Sequence, residues 1–242
     1  MAPLLSLKSV SKRFGAVVVA DNIDLSLNEG EALGILGPNG AGKTSLFNMI
    51  AGVFSPDAGH IYYRGSDITK LTAAQRCRIG IGRSFQIPQP FGGLSVFENL
   101  CVTGFFGARG DHATVEARAV EVLDLTGMLP KANALASSLT LLERKRLELA
   151  RALAGNPKLL LLDEIAGGLT PHECEDLIAA IRKIRATGVS VIWIEHVVHA
   201  LLAVVDGLFV LNQGAKLAEG DPRTVMDSPE VHEIYLGVEA DA

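Results

Sequence analysis

Aromatic side chains are scarce, 5% of 242 residues, in a chain that is nonetheless 48% hydrophobic with a mean hydropathy of +0.30. Long apolar runs are missing as well. The longest, such as Leu159–Leu162 and Ala200–Val205, fall far short of the ~18 residues that a membrane-spanning helix needs. The excess apolarity is therefore Leu, Ile, Val and Ala, the composition of parallel strands buried on both faces. Cysteine is rare too: Cys77, Cys101 and Cys174 are odd in number and lack CxxC or metal-ligand spacing. This excludes a disulfide framework or a zinc cluster and points to reduced thiols. Positive charge is in deficit, with 22 Lys and Arg against 27 Asp and Glu, a formal net charge of −5. No global positive field exists to attract nucleic acid, and no nucleic-acid partner is expected. Met1–Lys8 has no charged stretch leading into an apolar core and cleavage site, so a cytosolic chain without a signal peptide is expected.

What is present is an α/β alternation on a chain long enough for a large core. Leu4–Val10 and Val17–Leu27 read as two strands joined through Lys12–Ala16, and Glu31–Leu36 as a short buried strand. A helix is predicted over Thr44–Ala51, then strands at Ile61–Tyr63 and Gly80–Phe85. The Pro- and Gly-rich stretch Ile87–Gly93 reads as a loop with exposed apolar tips. From Val96 to about Leu153 the pattern turns helical, with Val115, Ala119, Val122 and Leu123 at helical spacing within Thr114–Leu125. Gly155-Asn156-Pro157 stops the last helix. Alternation then returns with the strand Leu159–Leu162, helix Pro171–Ala186, strand Val189–Ile194, helix Val197–Ala203 and strand Leu208–Leu211.

Gly37-Pro38-Asn39-Gly40-Ala41-Gly42-Lys43-Thr44 fits GxxxxGK[ST], directly after an apolar strand and before the helical run Ser45–Ala51. Gly40 and Gly42 are expected to let the backbone close around an oxyanion, with peptide N–H groups and the helix N-terminus offering an anion site. Lys43 supplies a point charge for the β- and γ-phosphates, Thr44 a hydroxyl for Mg2+, and Ser45 is placed to reach the α-phosphate. A second element agrees. Leu159-Leu160-Leu161-Leu162-Asp163-Glu164 is an apolar strand ending in two carboxylates, an unfavourable place for charge unless a cation or polarised water sits there. Asp163 would hold Mg2+ through its water shell and Glu164 would polarise the attacking water. Together the two motifs predict a nucleoside triphosphate with Mg2+.

Asp163 lies 126 positions after Gly37, a separation that includes the helical stretch and exceeds what a small-molecule kinase usually places there. With Gln86 after the strand Gly80–Phe85, Glu164 after Asp163 and His196 after Ile194-Glu195, the chain closely resembles the ATPase subunits of ABC transporters, from about Leu4 to Gly237. The resemblance implies a single ABC ATPase domain over 1–242. Its fold would be α/β: a P-loop NTPase core of mostly parallel sheet, an N-terminal antiparallel β subdomain, and an α-helical subdomain inserted at approximately 94–154. It also implies residue roles. Phe14 matches the aromatic that stacks on adenine, although the position equally suits a strand-end core Phe. Gln86 matches the glutamine that touches Mg2+ and the attacking water, on a loop that faces the membrane subunits. His196 matches the switch histidine that contacts the γ-phosphate, while His199 nearby shows that a histidine here could simply be a surface residue.

Two departures stand out. The five-residue signature that completes the neighbour's ATP site is usually Leu-Ser-Gly-Gly-Gln; here it reads Leu139-Thr140-Leu141-Leu142-Glu143. Thr140 could keep the hydroxyl that meets the γ-phosphate, but two leucines replace the glycines and Glu143 adds negative charge. Thr170 stands where an aspartate crosses the dimer interface. A homodimer would carry two altered signatures, so a heterodimer with a second ABC ATPase is favoured over a homodimer, the alternative being that Thr140 suffices after local rearrangement. Arg83–Phe91, Leu94–Leu100, Arg144–Leu153 and Ile234-Tyr235-Leu236-Gly237 are similar to one of the two ATPases of branched-chain amino acid importers. That resemblance implies two transmembrane permease subunits, indirectly a periplasmic solute-binding protein, and a peripheral place on the cytoplasmic face of the inner membrane. The alternatives are a lipopolysaccharide-export ATPase, which shares the Tyr-Leu-Gly ending, and a non-transport ABC ATPase module.

Overall fold

The computed structural model describes residues 2–108 and 111–239, the side chains of Ala108 and 235–239 excepted. Among the described residues, ten strands form two sheets. The first is antiparallel, in the order β2-β1-β4-β5, from β1 (Leu5–Phe14), β2 (Val17–Leu27), β4 (Ala58–Tyr63) and β5 (Ser66–Asp67). The second runs β10-β9-β3-β8-β7-β6. Its members are β3 (Ala32–Leu36), β6 (Ile81–Arg83), β7 (Leu159–Asp163), β8 (Ser190–Ile194), β9 (Gly207–Asn212) and β10 (Ala215–Gly220). All of its pairings are parallel except the edge hairpin β9–β10.

Every residue of β3, β7 and β8 is buried, and successive side chains divide between two cores. Leu159, Leu161, Ile192 and Ile194 join the core under the antiparallel sheet and helix α1 (Lys43–Ala51). Leu160, Leu162, Val191 and Trp193 point the other way, into a core built with the helices. The period of two explains the unbroken apolar runs: a strand covered on both faces has no polar side to alternate with. Between β6 and β7 stand α3 (Val96–Thr103), α4 (His112–Leu125) and α5 (Leu141–Ala154). The helical run is not continuous. A π-helical turn at Gly104–Ala108 follows α3, and two single 3₁₀ turns occupy part of the stretch between α4 and α5.

Several local expectations need correction. β1 continues through Lys12, Arg13 and Phe14 instead of ending at Val10, because Arg13 and Phe14 pair with Val18 and Val17 and leave only Gly15 and Ala16 to turn. Helix α2 (Ala73–Arg78) and strand β10 lacked an apolar pattern to reveal them. α2 is held by a Thr72–Gln75 capping box and by Arg76, fully buried, whose guanidinium donates to the carbonyls of Met49, Ile50 and Ile68. Ile87–Gly93 is irregular as expected, with Ile87 71% and Phe91 47% exposed. Beyond α6 (Pro171–Ala186) and α7 (Val198–Leu202), the chain closes with α8 (Pro222–Met226) and α9 (Pro229–Glu239). The Tyr235-Leu236-Gly237 ending falls outside the residues whose side chains are described. No helix among the described residues is long and apolar enough to cross a membrane.

Candidate functional site

Parallel strands deliver their C-terminal ends to one edge of the sheet, where open α/β sheets place their ligands. Here the register aligns those ends: Ile35 pairs with Ile194, and Asp163 with Ile194. The residues that follow β3, β7 and β8 are therefore neighbours, although they lie far apart in the chain.

After β3 comes the loop Gly37–Gly42, and α1 starts at Lys43. Its glycines are required by the protein's own backbone. A Cβ on Gly42, at φ 105°, would sit 2.2 Å from the Val19 carbonyl oxygen, and one on Gly37 2.2 Å from that of Leu211. Gly40 faces open space and needs glycine only for its φ of 79°. Gly37 and Gly42 thus also serve close packing against β9 and β2. The β9–β10 turn completes the cradle, Gly214 N–H donating to the Ala41 carbonyl at 2.9 Å. Asn39 and Gly40 are exposed at the loop tip and Ala41 is buried beneath it. Lys43 is buried and folds onto the loop, Nζ donating to the carbonyls of Gly37 at 2.7 Å and Pro38 at 3.0 Å. Burial pulls its pKa below the ordinary lysine value, against the opposing pull of Glu164 and Asp163. Thr44 is exposed on the first turn of α1 and Ser45 half-buried beside it.

Glu164 follows β7 with a left-handed φ of 46°, its N–H donating to the Ile194 carbonyl at 2.9 Å. Its carboxylate is gripped from two sides: Gln86 Nε2 donates to Oε2, and His196 Nε2 lies 3.0 Å from Oε1. Three residues that follow β6, β7 and β8 thus meet at one carboxylate. Asp163, just inside, is buried and paired with Arg83 at 2.9 Å, while the same guanidinium donates to Asn48 Oδ1 of α1 at 2.6 Å. Burial pushes the Asp163 carboxyl up, and Arg83 counters it. Thr44, Gln86 and Asp163 line one cleft of about 560 Å3 with Arg83, Phe85 and Arg151. Phe14 is 50% exposed, outside both cores, with its ring edge-to-face with Phe54 at 5.3 Å and Lys12 Nζ 5.3 Å from its centroid. It is a half-exposed ring and not a core residue, and Val19 of the same hairpin runs past the phosphate loop.

Thr140 lies apart from this cluster, as N-cap of α5. Its Oγ1 accepts from Glu143 N–H at 3.4 Å, and Glu143 Oε2 accepts from Thr140 N–H at 2.9 Å. Glu143 also pairs with Lys131 at 3.0 Å. The Thr140 N–H and then Lys131 hold its carboxyl below the ordinary value. The charge expected to burden the signature is therefore offset locally. Thr170 likewise caps α6, in a box with Glu173.

Four residues of the site were not singled out from the sequence. Arg83 joins Asp163 to α1. Glu148 on α5 is buried and ion-paired with Arg151, whose guanidinium also donates to the Gln89 carbonyl at 3.0 Å. Lys145, also buried, donates to the Gly167 carbonyl at 2.5 Å, and Glu195 accepts from Ala166 N–H at 2.6 Å and from His196 N–H at 2.9 Å. Glu195 carried a readable signal, an acid directly after a fully apolar strand, the same one that marked Asp163.

The chain matches the family model described as ABC transporter over residues 20–167 and that described as branched-chain amino acid ATP-binding cassette transporter over 215–241. It is 35% identical to the high-affinity branched-chain amino acid transport ATP-binding protein LivG of Escherichia coli K12, over 97% of this chain and 98% of that one. It is 36% identical to the lipopolysaccharide export system ATP-binding protein LptB of the same strain, over 96% of this chain and 97% of the other. Among solved structures, the ADP conformation of MJ1267, an ATP-binding cassette of an ABC transporter, superposes with a TM-score of 0.89 at 30% identity, covering 98% of this chain and 100% of that one. With its phosphate loop, its Gln86–Glu164–His196 cluster and these relatives, the chain belongs to the ATP-hydrolysing subunits of ABC transporters.

Proposed function

We propose that this subunit powers an importer of branched-chain amino acids or related small polar solutes, hydrolysing ATP at the cluster that joins Gln86, Glu164 and His196. The observation that carries the hydrolytic reading is the Glu164 carboxylate, held between Gln86 and His196 at the strand end beside the phosphate loop. The Gly37–Ser45 segment binds the triphosphate through its N–H groups, with Lys43 turning from the Gly37 and Pro38 carbonyls onto the phosphates. Phe14 takes the adenine face. Glu164 accepts a proton from the attacking water, while His196 and Gln86 fix its two oxygens in place. Mg2+ fits the donor set: a hydroxyl at Thr44, a carboxylate at Asp163 and an amide oxygen at Gln86, all hard oxygen ligands lining one cleft. When bound, it neutralises charge on the β- and γ-phosphoryl oxygens.

The solute class draws support from the 215–241 match and from the name of the LivG relative; LptB is the relative that favours the second reading, lipopolysaccharide export. Uptake of labelled leucine by vesicles containing the complete assembly tests the first, and its absence together with stimulation by lipopolysaccharide would favour the second. The partners that fit are two transmembrane permease subunits, receiving the exposed Ile87 and Phe91 on the cytoplasmic face of the inner membrane, and a periplasmic binding protein beyond them. The segment 94–154, carrying α3, α4 and α5, is proposed as the helical subdomain within a single ATPase domain over 1–242.

A heterodimer is the better engine. Leu141, half exposed at the first helical position of α5, and Leu142 after it place isobutyl groups where a neighbour's nucleotide must approach backbone. A companion ATPase with glycines in its signature would instead complete the site at Lys43 and Glu164. The test compares hydrolysis by the purified chain with hydrolysis by a co-purified complex of two different ATPases. A robust rate from the chain alone defeats the asymmetric assignment.

A further inference from the structure

Glu195 is the most deeply buried acid at the strand-end edge, 1% exposed, and among the described residues no cation forms an ion pair with it. Its partners are backbone amides. Oε1 accepts from Ala166 N–H and Oε2 from His196 N–H. Ala166 belongs to the loop that leaves Glu164, and His196 opens the loop after β8. One carboxylate thus ties together the two segments whose side chains meet at 3.0 Å between Glu164 and His196. On the other side of the first loop, Lys145 Nζ donates to the carbonyl of Gly167, the residue after the one Glu195 holds. Lys145 lies five residues from Thr140 on the same helix, α5. Burial lowers the Lys145 pKa, and Glu195 is the first group opposing that shift, so the two charges sense each other across the loop.

We propose that Glu195 and Lys145 are positioning residues that clamp Ala166–Gly167 between β8 and α5, keeping Glu164 in register with His196 and tying the signature end of α5 to the hydrolytic carboxylate. This goes beyond the proposed hydrolytic role of Glu164 and rests on it. The physical case is geometric. Glu164 leaves its strand in a left-handed conformation, and its side chain is steered by the course of the loop after it. A carboxylate accepts both N–H bonds, one on each oxygen. An amide in its place offers one oxygen and turns an NH2 group toward an N–H donor, so one loop must detach. A misplacement of about 1 Å at a reacting group costs ~10²-fold in rate.

The test uses the full chain in whichever assembly turns over ATP, with kcat, KM and the equilibrium affinity for ATP measured for each variant. Glu195→Gln is expected to lower kcat by ~10- to 100-fold with ATP affinity within about 2-fold, and to raise amide exchange at Ala166 and His196. Lys145→Met is expected to lower kcat by ~3- to 10-fold, and Lys145→Arg to restore most of it. Because both side chains hold one segment, the double variant should lose less than the product of the single losses. Multiplicative losses, or unchanged kcat in both single variants, overturn the clamp. If Glu195→Gln does not fold, shown by loss of its thermal transition, the Lys145→Met and Lys145→Arg pair decides the question. Glu164→Gln is run alongside: hydrolysis unchanged there removes the underlying role of Glu164, whereas its loss beside normal Glu195 and Lys145 variants refutes the clamp alone.

Discussion

Replacing Glu164 by glutamine isolates the charge of the carboxylate proposed to act in hydrolysis from its shape. Glutamine has nearly the same volume, and the substitution keeps the backbone bond from residue 164 to the Ile194 carbonyl at 2.9 Å and the left-handed turn at φ 46°. One amide oxygen can still face His196 or Gln86, but it cannot accept from both as the carboxylate's two oxygens do, and it cannot take a proton from water. A positioned general base is worth ~10²–10⁴ in rate. At about 1.36 kcal/mol per decade that is ~2.7–5.5 kcal/mol of barrier. Binding should be spared, since Lys43 is held by the Gly37 and Pro38 carbonyls of the loop, which the substitution leaves in place. Loss of a negative charge that acts on Lys43 cannot repel the triphosphate, so ATP affinity should hold or rise slightly. Phosphate release in steady state and equilibrium binding of ATP, measured on the same preparation, separate the two effects. A steady-state rate within about 3-fold of the parent, well below the ~10² expected, would refute the assignment.

Other perturbations follow from the same geometry. Gly42→Ala forces a Cβ to 2.2 Å from the Val19 carbonyl oxygen at φ 105°, so equilibrium titration should find ATP binding abolished, with any retained affinity contradicting the packing described. Phe14→Ala removes an exposed platform and should weaken ATP by ~1–3 kcal/mol in a binding titration, with kcat at saturation preserved. Thr140→Ala removes an N-cap and should cost ~0.5–2 kcal/mol of stability. Trp193, the single tryptophan and fully buried, provides the fluorescence signal for that unfolding curve. The Glu143 carboxyl titrates below its unfolded value, so its stabilisation is complete above about pH 4.5 and fades as the pH falls through the lower folded value. Acid titration of Glu143→Gln should lack that loss, and an unchanged acid profile would contradict the capping-box electrostatics.

Residues that act through local order were visible in the chain itself. GxxxxGK[ST] after an apolar strand can only be a strand–turn–helix anion cradle, and Asp163-Glu164 after four leucines marks charge at the end of a buried strand. The α/β alternation and the unbroken apolar strands were equally readable, since burial on both faces leaves a compositional trace that needs no knowledge of the neighbours. Where the pattern was weak, as at β10 and α2, the elements were invisible: β10 has no buried residue to set a period, and α2 is short and held by caps and by Arg76.

What the chain could not announce was which polar groups would meet. Arg83 pairs with Asp163 across 80 positions, Lys145 reaches Gly167 across 22, and Glu195 binds Ala166 across 29. Each contact depends on the order and register of the parallel strands and on α5 packing beside them, which no local pattern encodes. The glycines show the same division. Their need for positive φ is an intrinsic property, but the carbonyls of Val19 and Leu211 that forbid a Cβ on Gly42 and Gly37 come from β2 and β9. The order of residues thus determined the groups available, a glycine-rich loop with its lysine and a pair of strand-end carboxylates. Tertiary structure decided their alignment, because hydrogen bonds a few ångströms long must be assembled from strands and helices that only folding brings to one edge.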